Sequence, residues 1–408
     1  MRLLDVDDAV ERRVHEERDA VALDDDIADL RPFGQDEPDA GAVGDDPDTC
    51  VGVEASRRVV GLREKVRRPL GHVDHPASLR TPDRSAGSSA MAEGRSSYWA
   101  YLMTTELRLP LAGPGGEPVD LWRTMNSHGF AELAPTRLDE EARTLEVTLR
   151  IRRGKPRRVR IRESRGPDEA VIDVLGPSAG AQVQGDVVAG VRHVLRLDHD
   201  LSGFYALAEQ DPDLAWAATG AGRMLQGPTV FEDVVKTVCT TNCAWSATMR
   251  MVNALVEHLG DTAIGGSGPL SNAFPTAARM ADTPEAFYRD VARAGYRSAY
   301  LRSLARSVAD SELDLEALAS VAPDELSDVE LEQQLLALPG VGPYAAAHIM
   351  MTIGRNSRLI LDSWTRPKYA RVIGKSTVSD TQIRRRFTRY GDEAGLAFWL
   401  FVTRDWVA

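Results

Sequence analysis

Three cysteines among 408 residues are too few for a disulfide framework. Cys239 and Cys243 lie one helical turn apart and read as buried thiols in a reducing compartment. No group of histidines and cysteines has the spacing of a zinc site, so no metal is expected. No apolar run is long enough to span a membrane, and Asp5, Asp7 and Asp8 spoil the pattern of a signal peptide. The chain is therefore expected in the cytoplasm, as a monomer and without a membrane partner. Basic charge is also short: 49 Lys and Arg stand against 61 Asp and Glu, a net charge of −12, which at first sight argues against a nucleic-acid ligand.

The distribution of that charge changes the judgement. Residues 1–90 carry −8 and the remainder only −4. Within the remainder, Arg150, Arg152, Arg153, Lys155, Arg157, Arg158, Arg160, Arg162 and Arg165 crowd one stretch, which reads as a solvated face. Arg384, Arg385, Arg386 and Arg389 form a second cluster, better placed for phosphate contact. Residues 1–90 hold one aromatic residue, Phe33, and no steady periodicity, so they are expected to be disordered or a mis-called extension, with Met91 as the authentic start.

From about 98 the pattern is that of a folded protein. Leu145, Val147, Leu149 and Ile151 alternate, as do Val159 and Ile161, and Gly154-Lys155-Pro156 between them reads as a hairpin turn. A strand over 170–175 ends at Gly176-Pro177, and Asp186 is expected to cap a helix running to about Leu197. Residues 98–200 thus predict an antiparallel β-sheet plus helix domain. Residues 201–408 are helical throughout, with helices expected over 203–218, 229–242, 284–294, 328–337, 343–353, 363–372 and 380–406, the last broken near Gly391 and Gly395. The fold class is α+β.

The most informative stretch is Leu338-Pro339-Gly340-Val341-Gly342-Pro343-Tyr344, followed eighteen positions after Tyr344 by Asp362. Pro343 suits the first turn of a helix, where its missing N–H is no loss. Gly340 and Gly342 let the backbone turn and a bulky group approach. A helix N-terminus behind such a turn offers orphan amides to a phosphate. The unit is helix, glycine hairpin, helix.

Here the chain resembles the helix-hairpin-helix DNA glycosylase superfamily. Residues 338–349 resemble its hairpin, and Leu359-Ile360-Leu361-Asp362-Ser363-Trp364 the loop that carries its aspartate. Residues 228–242 are similar to the first catalytic helix of 8-oxoguanine and alkylbase glycosylases, and Ala294-Gly295-Tyr296-Arg297 resembles the turn that meets the lesion in the 8-oxoguanine branch. The resemblance implies an α+β fold with an all-α helix-hairpin-helix catalytic region after the sheet. It implies double-stranded DNA with a damaged base as partner, and Asp362 as the catalytic carboxylate beside an oxocarbenium-like sugar. Leu338, Gly340, Val341 and Gly342 would bind the DNA backbone. Asn242 would fill the space left by a flipped base, Tyr296 would act as wedge and Arg297 would face the orphaned base. Tyr344, His348 and Trp364 would line the base pocket. Read by itself, Asp362 is first of all the cap of helix 363–372; the hairpin upstream turns the reading to catalysis, and the two roles are compatible.

Two departures set the subclass. Members that also cleave the sugar–phosphate backbone carry a Schiff-base lysine where this chain has Tyr344, so a monofunctional hydrolase is expected. The iron–sulfur cluster of some relatives needs four C-terminal cysteines, and none follows Cys243, so no cofactor is expected. An alkylated purine is favoured, because a cationic base leaves without a lysine's help. The alternatives are an oxidised purine, towards which Asn242, Tyr296 and Arg297 lean, or a non-catalytic damage sensor.

Overall fold

The computed structural model describes residues 104–166 and 168–407; the expectations for 1–90 lie outside them. Five antiparallel strands, β1 (Thr105–Pro110), β2 (Arg137–Asp139), β3 (Thr144–Leu149), β4 (Arg157–Glu163) and β5 (Glu169–Val174), form one sheet in the order β1-β5-β4-β3-β2. Val159 pairs with Val147 on one side and Val174 on the other, and Ile161 with Leu145 and Ile172. These side chains share one face because the strand period is two, and they join a core with Val187, Val191 and Val194. The five-residue helix α1 (Leu121–Met125) sits between β1 and β2, and α2 (Ala181–Val194) follows the sheet.

Two sequence expectations fail in this region. Asp186 does not cap α2. Gly180 holds that position, and the buried Asp186 carboxylate lies inside the helix, accepting from Arg152 N at 3.2 Å and Gln182 Nε2 at 3.3 Å. Nor is the first arginine cluster simply a solvated face. Arg158 is 3% exposed and paired with Glu146, which also binds Arg160, while Arg162 binds Asp173. Alternation turned these cations to the second face of β4, where carboxylates of neighbouring strands meet them.

The rest of the described chain is helical: α3 (Ser202–Ala208), α4 (Val230–Thr240), α5 (Trp245–Leu259), α6 (Ala277–Ala281), α7 (Arg297–Ala309), α8 (Leu315–Ser320), α9 (Asp328–Leu336), α10 (Pro343–Thr352), α11 (Thr365–Val372), α12 (Asp380–Phe387) and α13 (Ala394–Thr403). The helix expected over 203–218 stops at Ala208 because Asp211-Pro212 follows, and proline disfavours helix at the residue before it. Over 284–294 the chain forms a π-turn, Phe287–Val291. The C-terminal segment breaks at Gly391, whose φ is +54°, whereas Gly395 lies inside α13.

Two helical cores result. One surrounds α4, whose eleven residues are all buried, and the other surrounds α13. Tyr344, on α10, packs against both. Each fully buried aliphatic side chain in such cores contributes roughly 1.5–3 kcal/mol, so the position of α10 is fixed by burial on two sides. No helix among the described residues is long and apolar enough to cross a membrane.

Candidate functional site

The hairpin forms as its sequence requires. Ser327 caps α9 in a reciprocal box with Glu330, and Pro343 opens α10. Gly340 turns the chain at φ +81°, and a Cβ there would meet the Tyr300 ring at 2.9 Å. Glycine is needed at that position. Gly342, by contrast, has φ −99° and open space around it. Leu338 is half-buried against the α4 core and Val341 is buried within it, with its N–H donating to Leu338 O at 3.1 Å. Val341 therefore departs from the expected role: its amide closes the hairpin and is not free for a phosphate. The exposed residues of the turn are Gly342 and Pro343.

An open groove runs past this turn, lined among others by Asn242, Tyr296, Tyr300, Gly342 and Ser363. Asn242 is exposed in a left-handed conformation, φ +45°, at the end of α4, and its Nδ2 donates to Tyr296 Oη at 3.4 Å. Tyr296 is 55% exposed and stands edge-on to Tyr300. Arg297 differs from expectation. It is buried, and its guanidinium donates to the carbonyls of Thr241 and Asn242 while lying 4.5 Å from the Tyr296 ring. Its Nε and Nη2 groups are bound to Thr241 and to Asn242 O, so the side chain holds the Asn242 loop. In the second arginine cluster, Arg386 and Arg389 bind Asp211, and Arg384 and Arg385 are exposed.

A second, half-open and largely apolar cleft lies beside α10. Tyr344, His348, Trp364 and Asp362 line it, as sequence reasoning proposed. Trp364 packs against Trp399 and Trp406, and both of these also reach the cleft. Reasoning from sequence missed the opposite wall altogether. Asn126, His128, Phe130 and Glu132 come from the loop after α1, and Trp245 from α5. That segment has neither period nor motif; its one signal was a histidine, glycine and phenylalanine in succession between β1 and β2.

Asp362 belongs to the linings of both the groove and the cleft, together with Thr240 and Tyr344. Its Oδ1 accepts from Trp364 N at 2.9 Å and Thr365 N at 2.6 Å, and its own N–H donates to Thr365 Oγ1 at 2.9 Å. The fully buried Thr365 hydroxyl donates onward to Ile360 O. One carboxylate oxygen is thus tied to the start of α11, and no partner for the other occurs among the described residues. Burial, with Asp362 nearby, pushes the Tyr344 phenol up to about 12. Burial, reinforced by His128, lowers His348 to about 3, and burial lowers His128 to about 4. All three are neutral near pH 7. No lysine lines the groove or the cleft. Lys236, 6.0 Å from the Phe130 ring, is buried in an ion pair of 2.6 Å with Glu232.

No family model matches the chain. It is 26% identical over 168 residues to the DNA-3-methyladenine glycosylase of Bacillus subtilis (strain 168), a match covering 41% of this chain. The match spans only 54% of that relative's length. The fold is similar to that of the 3-methyladenine DNA-glycosylase from Archaeoglobus fulgidus, with a TM-score of 0.56 and 17% identity over 74% of this chain and 100% of that one. It is similar also to the Clostridium acetobutylicum 8-oxoguanine glycosylase/lyase, in complex with double-stranded DNA containing cytosine opposite 8-oxoguanine. There the TM-score is 0.55 and identity 18%, over 75% of this chain and 99% of that one. The resemblance drawn from the hairpin and the spaced aspartate is borne out by these likenesses.

Proposed function

We propose that this protein is a monofunctional DNA glycosylase. It binds damaged duplex DNA along the groove, takes one damaged purine into the cleft and hydrolyses its N-glycosidic bond, leaving an abasic site. The observation that carries this reading is the place of Asp362, on the boundary shared by groove and cleft. A sugar held in the groove with its base in the cleft would bring its anomeric carbon to that boundary. There an ionised carboxylate stabilises the positive charge that develops as the base departs. The same group orients the water that replaces the base, its proton passing to the carboxylate or to solvent.

Two features support the finer assignments. Tyr344 stands where a lyase would need an amine, and Lys236 is buried in an ion pair with Glu232, outside both linings. The cleft walls are largely aromatic, with Phe130, Trp364 and Trp399 among them. Such walls favour a flat and electron-poor base, so an alkylated purine is the preferred substrate over an oxidised one. Duplexes carrying single defined lesions, scored for abasic sites by alkali, test the reading. Strand breaks present before alkali would refute the monofunctional assignment, and no abasic site with any lesion would refute the activity.

A further inference from the structure

We infer that His348 and Tyr344 select the base by presenting hydrogen-bond acceptors to the cleft, because two threonines of α4 fix where their protons sit. The inference rests on the glycosylase reading and names the class it takes: purines that carry an N–H donor, such as a 6-amino group, on the edge that enters.

The argument follows single protons. Thr237 Oγ1 donates its one hydrogen to Asp233 O at 2.7 Å. Towards His348 Nδ1, 3.4 Å away, it can only accept, so the proton of the neutral ring must lie on Nδ1. Nε2 is left with a lone pair. It has no hydrogen bond among the described residues, and the residue lines the cleft. The same logic holds one turn on. Thr240 Oγ1 donates to Thr237 O at 2.7 Å, so at 3.3 Å it accepts from Tyr344 Oη. The phenol oxygen then turns its lone pairs away from α4. His128 cannot compensate as a donor, since its Nε2–H is bound to Leu225 O at 2.6 Å and its Nδ1 accepts from Phe130 N. The indole N–H groups of Trp245 and Trp399 are likewise spent, on Glu132 and on Ser127 O, while that of Trp364 has no partner among the described residues; neither His348 nor Tyr344 supplies a donor.

A 6-amino purine would satisfy these acceptors, whereas a 6-oxo group would set lone pair against lone pair in a buried site. The low pKa of His348 agrees with a ring that stays neutral and keeps its tautomer.

Two measurements test the inference on the full chain. Nitrogen-15 labelling of histidine, with His348 assigned through His348→Gln, should show an unprotonated Nε2 and a protonated Nδ1 at neutral pH. The opposite tautomer would overturn the proposal. Quenching of tryptophan fluorescence should show 3-methyladenine binding about tenfold more tightly than 3-methylhypoxanthine, where an oxo group replaces the amine. Thr237→Val does not touch the ligand but frees Nδ1 to lose its proton, so it should bring the two affinities together. Equal binding by the unaltered protein, or a preference untouched by Thr237→Val, would overturn the role in selectivity. Lack of abasic sites in every lesion duplex would instead overturn the glycosylase reading.

Discussion

Asp362 serves two purposes with one side chain: an oxygen bound to the start of α11 fixes its position, and the other is left for chemistry. Asp362→Asn separates them. Asparagine is as good a cap as aspartate, so thermal stability should hardly change. Base release should fall by roughly 10²–10⁴-fold, with duplex affinity kept; single-turnover kinetics beside a binding titration would show this, and unchanged turnover would remove Asp362 from the mechanism. A second carboxyl tests the interior. Burial, with Glu232 alongside, raises Asp233 to about 8. Its ordinary value is 3.8, so between those values the unfolded chain ionises first and stability falls as pH rises. Asp233→Asn can keep the bond to Gly227 N, and it should raise the melting temperature at pH 8 but not near pH 4.

At the scale of elements, the two hairpin glycines should behave differently. Gly340→Ala puts a side chain at φ +81° against Tyr300 and should cost stability, at least about 1 kcal/mol. Gly342→Ala meets nothing within the protein, so it should fold normally and lose affinity for duplex DNA, because the methyl group stands where a phosphate would approach. Melting curves and binding titrations of both variants would check the contrast. Arg297 ties the end of α4 to the start of α7 through two carbonyls. Arg297→Lys should not rescue what Arg297→Ala loses, since an ammonium lacks the planar fork that reaches both. The expected loss is in KM for damaged duplex more than in kcat, measured by steady-state kinetics.

For the whole molecule, a net charge of −12 means that duplex binding depends on local placement of cations rather than on the overall field. Arg386 is paired with Asp211 and Asp213, and Arg389 with Asp211, which leaves Arg384 and Arg385 as the members of their cluster without an acidic salt-bridge partner among the described residues. If both meet phosphates, their joint replacement by alanine should reduce the log–log salt slope of binding by about 2. A slope that does not change would place the DNA elsewhere.

The sequence by itself determined the elements whose signals are local. The β3–β4 hairpin followed from alternation and a glycine turn. The helix-hairpin-helix followed from Gly340 and Pro343, and the absence of a lysine amine at the hairpin from Tyr344. These depend on backbone geometry and on the identity of one side chain, both written within a few residues. Only the tertiary structure decided that His128, Phe130 and Trp245 form a wall opposite Tyr344, and that Arg297 is spent on carbonyls of another helix. It also turned Arg158 of the arginine run inwards to Glu146. Partners of that kind lie far apart in the chain, and which donor meets which acceptor is settled only when the packed cores bring them within hydrogen-bond reach.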